Sequence, residues 1–308
     1  MKDQLINPPS FYDFLSPRYW PTWLGLGLMR GIVSLPHKLR LLFGRGLGLL
    51  LGSVLIRRRQ VIKANLDLCF PELPPKARKQ LFWRHWQALG MGMVETAMSW
   101  WMDDEALRNL VEVTGLEHLE NALMEKRGVI LLTGHCTTLE LAAHALAVYC
   151  PFHAMYRPLR NRLADSVVLR ARLSRSPRVY TSQDTRAMVR SLREGAAVWY
   201  AMDQDQGRQH AVFVPFFGIP TATITTTTRL ARMSDSAVVP YWPQRLANGR
   251  YRIKILPKLA DFPGEQEQDT WRINALLEDL IRETPEQYLW AHRRFKTRPP
   301  GSPSLYPR

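Results

Sequence analysis

Apolar positions along this chain recur with two periods, and the switch between them marks its centre. After Gly128 the run Val129-Ile130-Leu131-Leu132-Thr133 is apolar or β-branched without a break, the pattern of a buried strand. From Leu139 the apolar residues move to helical spacing, at Leu139, Ala142, Ala143 and Leu146. Thr137 stands three residues before Glu140, the spacing of a capping box that opens a helix. The pattern therefore predicts a strand, a short corner and a helix, with His135 in the corner.

The same reading extends along the chain. Strands are expected at 196–202, 212–217 and 237–242, and an alternating one at 250–256. Residues 75–102 read as a long helix with Leu81, Trp86, Leu89 and Met93 on one side, suited to core packing or to an acyl groove. Leu163, Val167 and Ala171 recur every four residues, which predicts another helix, and two more are expected at 225–233 and 271–283. Residues 103–125 read as a connection to the central strand. Strands alternating with helices indicate an α/β fold, a central mixed β-sheet flanked by helices.

Ahead of this region lie two longer apolar runs, 19–35 and 39–56. Each is near the lower limit for a bilayer span, and each contains an arginine, Arg30 or Arg45, that is costly at mid-membrane. Trp20 and Trp23 suit an interfacial belt, and Arg57, Arg58, Arg59 and Lys63 a cytoplasmic flank. No convincing small-residue cleavage site follows. The expectation is a retained hydrophobic membrane-anchoring helical segment over 1–60, one spanning helix followed by an interfacial or buried one, and an α/β catalytic domain over 61–308. Two core helices of a soluble protein are the alternative. The glycines at 25, 27 and 31, and those at 44, 46 and 48, follow no apolar strand, so helix packing explains them better than a dinucleotide loop.

Composition adds a partner class. The net charge is +15, with 33 arginines and 9 lysines, which implies an anionic partner: nucleic acid, a membrane surface or a phosphorylated substrate. Ten arginines face two acids between Arg157 and Arg193. A solvated basic face accounts for most of them, while a few could grip phosphates or sugar acids. Three cysteines, Cys69, Cys136 and Cys150, lack paired spacing, against a zinc ribbon or a disulfide scaffold and in favour of a reducing compartment.

His135 sits where open α/β sheets place ligands, at the carboxyl end of a strand. A side chain in the first helical turn leans back toward that corner, so Glu140 could hold the imidazole in one tautomer and stabilise its cation, making His135 a good base. Alternatively, Glu140 only caps the helix. Asp203 and Asp205 close the strand expected at 196–202 and could bind a metal, serve a site or cap a turn. Cys136 is a possible nucleophile, although adjacent residues seldom meet productively. No Gly-x-Ser-x-Gly elbow occurs, and no nucleic-acid-binding module is recognised.

A histidine, four residues and an acid after an apolar strand resembles the signature of the glycerolipid acyltransferase superfamily. With Glu as the acid it resembles the lipid A branch, the late acyltransferases of Gram-negative lipopolysaccharide synthesis. Further blocks are similar to that branch: Pro17-Arg18-Tyr19-Trp20, Asn65 through Glu72, Tyr156-Arg157-Pro158, Trp199-Tyr200-Ala201-Met202-Asp203, and Pro285-Glu286-Gln287-Tyr288 through Arg298. Together they cover the chain from about residue 16 onward.

The resemblance implies transfer of a fatty acyl chain from an acyl carrier protein thioester to a hydroxyl of a Kdo2-lipid IVA type precursor. Attack would be direct, with His135 as base and Glu140 as its orienter. Arg172 and Asp203 match positions implicated in the family's site, although Ala171 stands where relatives often have Gly. Arg157 is a further candidate for phosphate binding, and the basic residues from Arg293 to Arg298 could meet lipid phosphates. The partners implied are the carrier protein, the anionic lipid A precursor and the inner membrane, with the catalytic domain at its cytoplasmic face. No metal or other cofactor and no nucleic acid is implied. The alternatives are a lysophospholipid or other glycolipid acyltransferase using acyl-CoA or acyl carrier protein, and a non-catalytic basic membrane-surface protein.

Overall fold

The computed structural model describes residues 8–181 and 184–307. Four helices come first: α1 (Trp20–Val33), α2 (His37–Val54), α3 (Ile56–Cys69) and α4 (Pro75–Trp101). The segment read as a plain connection is more structured than expected, holding α5 (Asp104–Arg108), β1 (Val111–Thr114) and α6 (Leu116–Met124). Next are β2 (Val129–Thr133), α7 (Leu139–Tyr149), β3 (Ala154–Met155), α8 (Arg162–Leu173), β4 (Val179–Tyr180) and α9 (Thr185–Arg193). The chain continues through β5 (Ala197–Ala201), the hairpin β6 (Ala211–Phe216) and β7 (Ile219–Ile224), and α10 (Thr226–Ser234). It closes with β8 (Ala237–Arg245), β9 (Tyr251–Ile255) and α11 (Gln266–Glu283). The Thr-rich stretch after Thr221 is thus split between a strand and a helix.

The main sheet is mixed, five strands in the order β1-β9-β8-β2-β5. β2 runs parallel to both neighbours, β5 and β8, while β8 and β9 are antiparallel. Every residue of β2 is buried, as its unbroken apolar run predicts for a strand covered on both faces. Thr133 is paired with Ala201. Parallel pairing in that register brings the corners after β2 and β5 to one edge at the same height, so residues two past each strand end face each other.

α4 runs through the helical layer and packs on α2 at very close range. A Cβ on Gly48 would lie 2.0 Å from the Trp86 carbonyl oxygen, and one on Gly90 2.1 Å from that of Gly44. The glycines at 44 and 48 do serve helix packing, as read; those at 25, 27 and 31 have nothing within 4 Å of a Cβ. Among the described residues no single helix is long and apolar enough to cross a membrane, although α2 and α3 together, as a bent pair, have the length and composition for it, and the expected spanning helix is unconfirmed. In α1 the shortfall is length, its 14 residues rising about 21 Å against about 30 Å of hydrocarbon. α2 ends in a 99° bend into α3. The helices nevertheless expose apolar side chains, Trp20, Leu24 and Leu28 along α1 and Leu42, Leu50 and Val54 along α2.

Candidate active site

His135 and Asp203 each stand two residues past their strands, and the parallel register joins them. Asp203 takes two bonds from His135: the backbone N–H reaches Oδ2 at 3.0 Å and the ring Nδ1 reaches Oδ1 at 2.6 Å. Asp203 is almost wholly buried, and the Tyr288 hydroxyl also donates to it. Burial would raise its pKa, but the charge and hydrogen bonds of His135, with Arg294 behind, hold it far below the usual carboxylate range. Burial works the other way on His135, yet attraction to Asp203 and then to Glu140 outweighs it and raises the imidazole pKa. An ionised carboxylate on Nδ1 fixes the proton there and leaves Nε2 as the basic nitrogen. The ring is a quarter exposed.

Glu140 takes a different place from the one its spacing suggests. Its carboxylate is paired with the Arg172 guanidinium on the last turn of α8, and Asp203, not Glu140, holds the imidazole ring. Arg172 also donates to the Met155 carbonyl at 3.1 Å and lies over the Tyr156 ring. Thr137 and Glu140 do not form the expected capping box: α7 starts after Thr138, which supplies no side-chain cap. The Thr137 hydroxyl instead accepts from buried Arg245 at 3.4 Å. Beside the Glu140–Arg172 pair an apolar slot runs between α7, α8 and β5, lined by Leu139, Ala143, Ala147, Phe152 and Trp199. Arg175 lines it too, its pKa lowered by burial to about 10.

The corner itself is locked from behind. Thr137 N–H donates to the Gln287 carbonyl at 2.8 Å, and Leu289 N–H donates to the His135 carbonyl at 3.0 Å, a short antiparallel clasp by the C-terminal segment. A Cβ on Gly92 would fall 2.4 Å from the Thr137 carbonyl oxygen, so only glycine lets α4 come this close. Below the clasp, Arg245 donates to buried Glu95, with Nη2 at 2.8 Å from Oε2, and Tyr251 donates to the same carboxylate at 2.9 Å. The Gln287 side chain binds both the N–H and the carbonyl of Arg245.

This constellation, a buried Asp–His pair beside a half-open Glu–Arg pair and an apolar slot, falls within the part of the chain matched by the model of the bacterial lipid A biosynthesis acyltransferase family, residues 9–297. The chain belongs to that family. It is 39% identical over 307 residues to the lipid A biosynthesis lauroyltransferase of Escherichia coli (strain K12), covering 98% of this chain and 100% of that one. It is 38% identical to the palmitoleoyltransferase of the same strain, over 96% of this chain and 97% of the other. The myristoyltransferase of that strain is 31% identical, over 96% and 93%. A solved structure, the 1-acyl-sn-glycerophosphate acyltransferase of Thermotoga maritima, aligns with a TM-score of 0.39 and 12% identity over 81% of this chain and 98% of that one.

In this acyltransferase the remaining sequence candidates separate by environment. Arg157 is exposed to solvent. Cys136 is buried against Thr138, and burial pushes its thiol up to about 12, so a thiolate nucleophile is unavailable there. Asp205 holds the C-terminal segment, accepting from Thr297 N–H at 2.6 Å and from Gly207 N–H at 2.9 Å. Arg294, read as a basic residue for lipid phosphates, is buried and donates to the Ala222 carbonyl and the Thr223 hydroxyl.

Tyr288, Gln287 and Arg245 were not singled out as site residues. Two of them lie in the Pro285–Tyr288 block, but nothing in that block's pattern says that it clasps the corner. Arg175, three residues past Arg172, carries only the signal of being one more arginine in a basic stretch.

Proposed function

We propose that this acyltransferase moves a fatty acyl chain from an acyl carrier protein thioester to a hydroxyl of a Kdo2-lipid IVA type precursor. The observation that carries the reading is the His135–Asp203 pair, with Nδ1 held at 2.6 Å from a buried carboxylate and Nε2 left as the base. The acceptor hydroxyl attacks the thioester carbonyl carbon while its proton passes to Nε2. The tetrahedral intermediate collapses with cleavage of the C–S bond, and the leaving thiolate takes the proton back from the imidazolium. A thioester is already activated, so no covalent acyl-enzyme is needed.

Asp203 fixes the tautomer and stabilises the imidazolium. Glu140 and Arg172 position substrate at the mouth of the apolar slot, which receives the chain, and Arg157 meets an anionic group of the acceptor from the solvent side. Negative charge developing on the carbonyl oxygen is met by Arg172 and by first-turn amides of α7, which have no intrahelical acceptor. The exposed apolar faces of α1 and α2 rest in the cytoplasmic leaflet of the inner membrane, with the basic surface toward its phosphates.

The test is mass spectrometry of lipid product from purified enzyme, the tetra-acylated precursor and acyl carrier protein loaded with a panel of chains. Wild type should add one chain, and His135→Ala should lose on the order of a thousandfold in rate while still binding membrane. Full activity in that variant would sink the general-base reading. Transfer from acyl-CoA as fast as from the carrier protein would reject the donor assignment.

A further inference from the structure

A groove of about 940 Å³, within the range of small-ligand sites, lies between α3 and the start of α4, and none of its lining residues belongs to the candidate active site. The two helices form a hairpin, so Ile56 and Trp83 lie at one end and Asp67 and Pro75 at the other. Arg59 over the Trp83 ring and Arg78 against Asp67 confirm this pairing.

Polarity is graded along the groove. The Trp83 end carries Ile56 and Phe82, with the Arg59 guanidinium stacked on the Trp83 ring, and runs into the apolar elbow where α2 bends into α3. At that elbow Val54, Leu55 and Ile56 are all exposed, Ile56 at 65%. The other end gathers Lys63, Arg78 and Lys79 around one carboxylate, Asp67. Lys63 and Arg78 share that carboxylate, and Lys79 has no ion pair or hydrogen bond among the described residues. The Asp67 end therefore holds three cations against one carboxylate, whereas the single cation at the other end, Arg59, is stacked on Trp83 where the groove continues into a surface that water disfavours.

We propose that this groove binds one anionic glycerophospholipid of the membrane, its phosphate among Lys63, Arg78 and Lys79 and a chain passing Phe82 and Trp83 toward the elbow. An acidic protein partner would match the cations but would leave the elbow uncovered; a lipid satisfies both ends and is continuous with a bilayer into which the elbow dips. The bound lipid is not a substrate: it fixes how the protein sits on the membrane, and the site is independent of the chemistry at His135.

The experiment uses the full chain, phosphatidylcholine vesicles with and without phosphatidylglycerol, and native mass spectrometry to count phosphatidylglycerol retained after extraction into detergent. Wild type should prefer the phosphatidylglycerol vesicles and retain one lipid, and His135→Ala should behave the same way whatever its activity. Lys63→Glu/Lys79→Glu should lose the retained lipid and weaken the preference about tenfold or more. Lys63→Gln/Lys79→Gln should show the same loss with an unchanged Tm, which separates the effect from misfolding. Arg186→Glu/Arg190→Glu, an equal charge change on α9, should stay within about twofold of wild type. Equal losses in the two charge-reversal variants would reduce the effect to diffuse attraction and overturn the site. So would retention of the lipid by the groove variants, or a loss in them of carrier-protein binding with vesicle binding intact.

Discussion

Two carboxylates stand near the same histidine corner, and their surroundings give them different work. Asp203 is buried, holds Nδ1 of His135 and accepts from Tyr288, so its charge is spent on one ring in one orientation. Glu140 is nearly a third exposed and is balanced by Arg172, a cation that can itself turn to a ligand. A buried acceptor with fixed partners sets a tautomer, whereas a half-open pair can exchange partners when an anion arrives. The buried Glu95–Arg245 pair is a third arrangement, closed on itself and bracing the corner from behind.

The comparison can be broken at its strongest point first. Asp203→Asn should lower kcat/KM on the order of a thousandfold, because the neutral amide no longer fixes Nδ1–H or stabilises the imidazolium. The pH profile carries a sign. The proposed base must be unprotonated, so the raised pKa of His135 should place the acid limb of wild-type kcat/KM above the ordinary histidine value of about 6.5. With Asp203 gone, burial is the main remaining influence and lowers the pKa, so the limb should move to lower pH. A limb that stays in place would separate Asp203 from the base.

Glu95→Ala should cost about 3–5 kcal/mol of stability by stranding the Arg245 charge, read as a fall in the denaturant midpoint. A large effect on kcat in protein that remains folded would instead tie this pair directly to the chemistry. Glu140→Gln should reduce kcat/KM roughly tenfold to a hundredfold, and adding Arg172→Gln should cost little more, since the two act as a unit. Additive losses would mean that each residue touches substrate separately. The smallest effect is expected at exposed Arg157, where Arg157→Ala should raise KM about threefold and leave kcat alone.

Much of the scaffold was legible because it depends on local pattern. The unbroken apolar run of β2, the switch to helical period at Leu139 and the long helix from Pro75 each follow from neighbours in sequence, and each is where it was expected. β1 was missed because four residues of Val-Glu-Val-Thr between two short helices give too little alternation to stand out. Glu140 was read as the partner of His135 because five residues apart is close in sequence, and a first-turn side chain leans toward the corner. Nothing local says that Arg172, thirty-two residues away, neutralises it first.

The sequence by itself determined that a histidine would stand at the end of a buried strand, with acids and arginines in reach and a family pattern around them. Tertiary structure decided which acid holds it. Parallel pairing of β2 with β5, Thr133 level with Ala201, sets Asp203 opposite His135 across 68 positions of chain. Such pairing is a non-local choice, fixed by burial of both strand faces and by register, and no spacing within either segment encodes it.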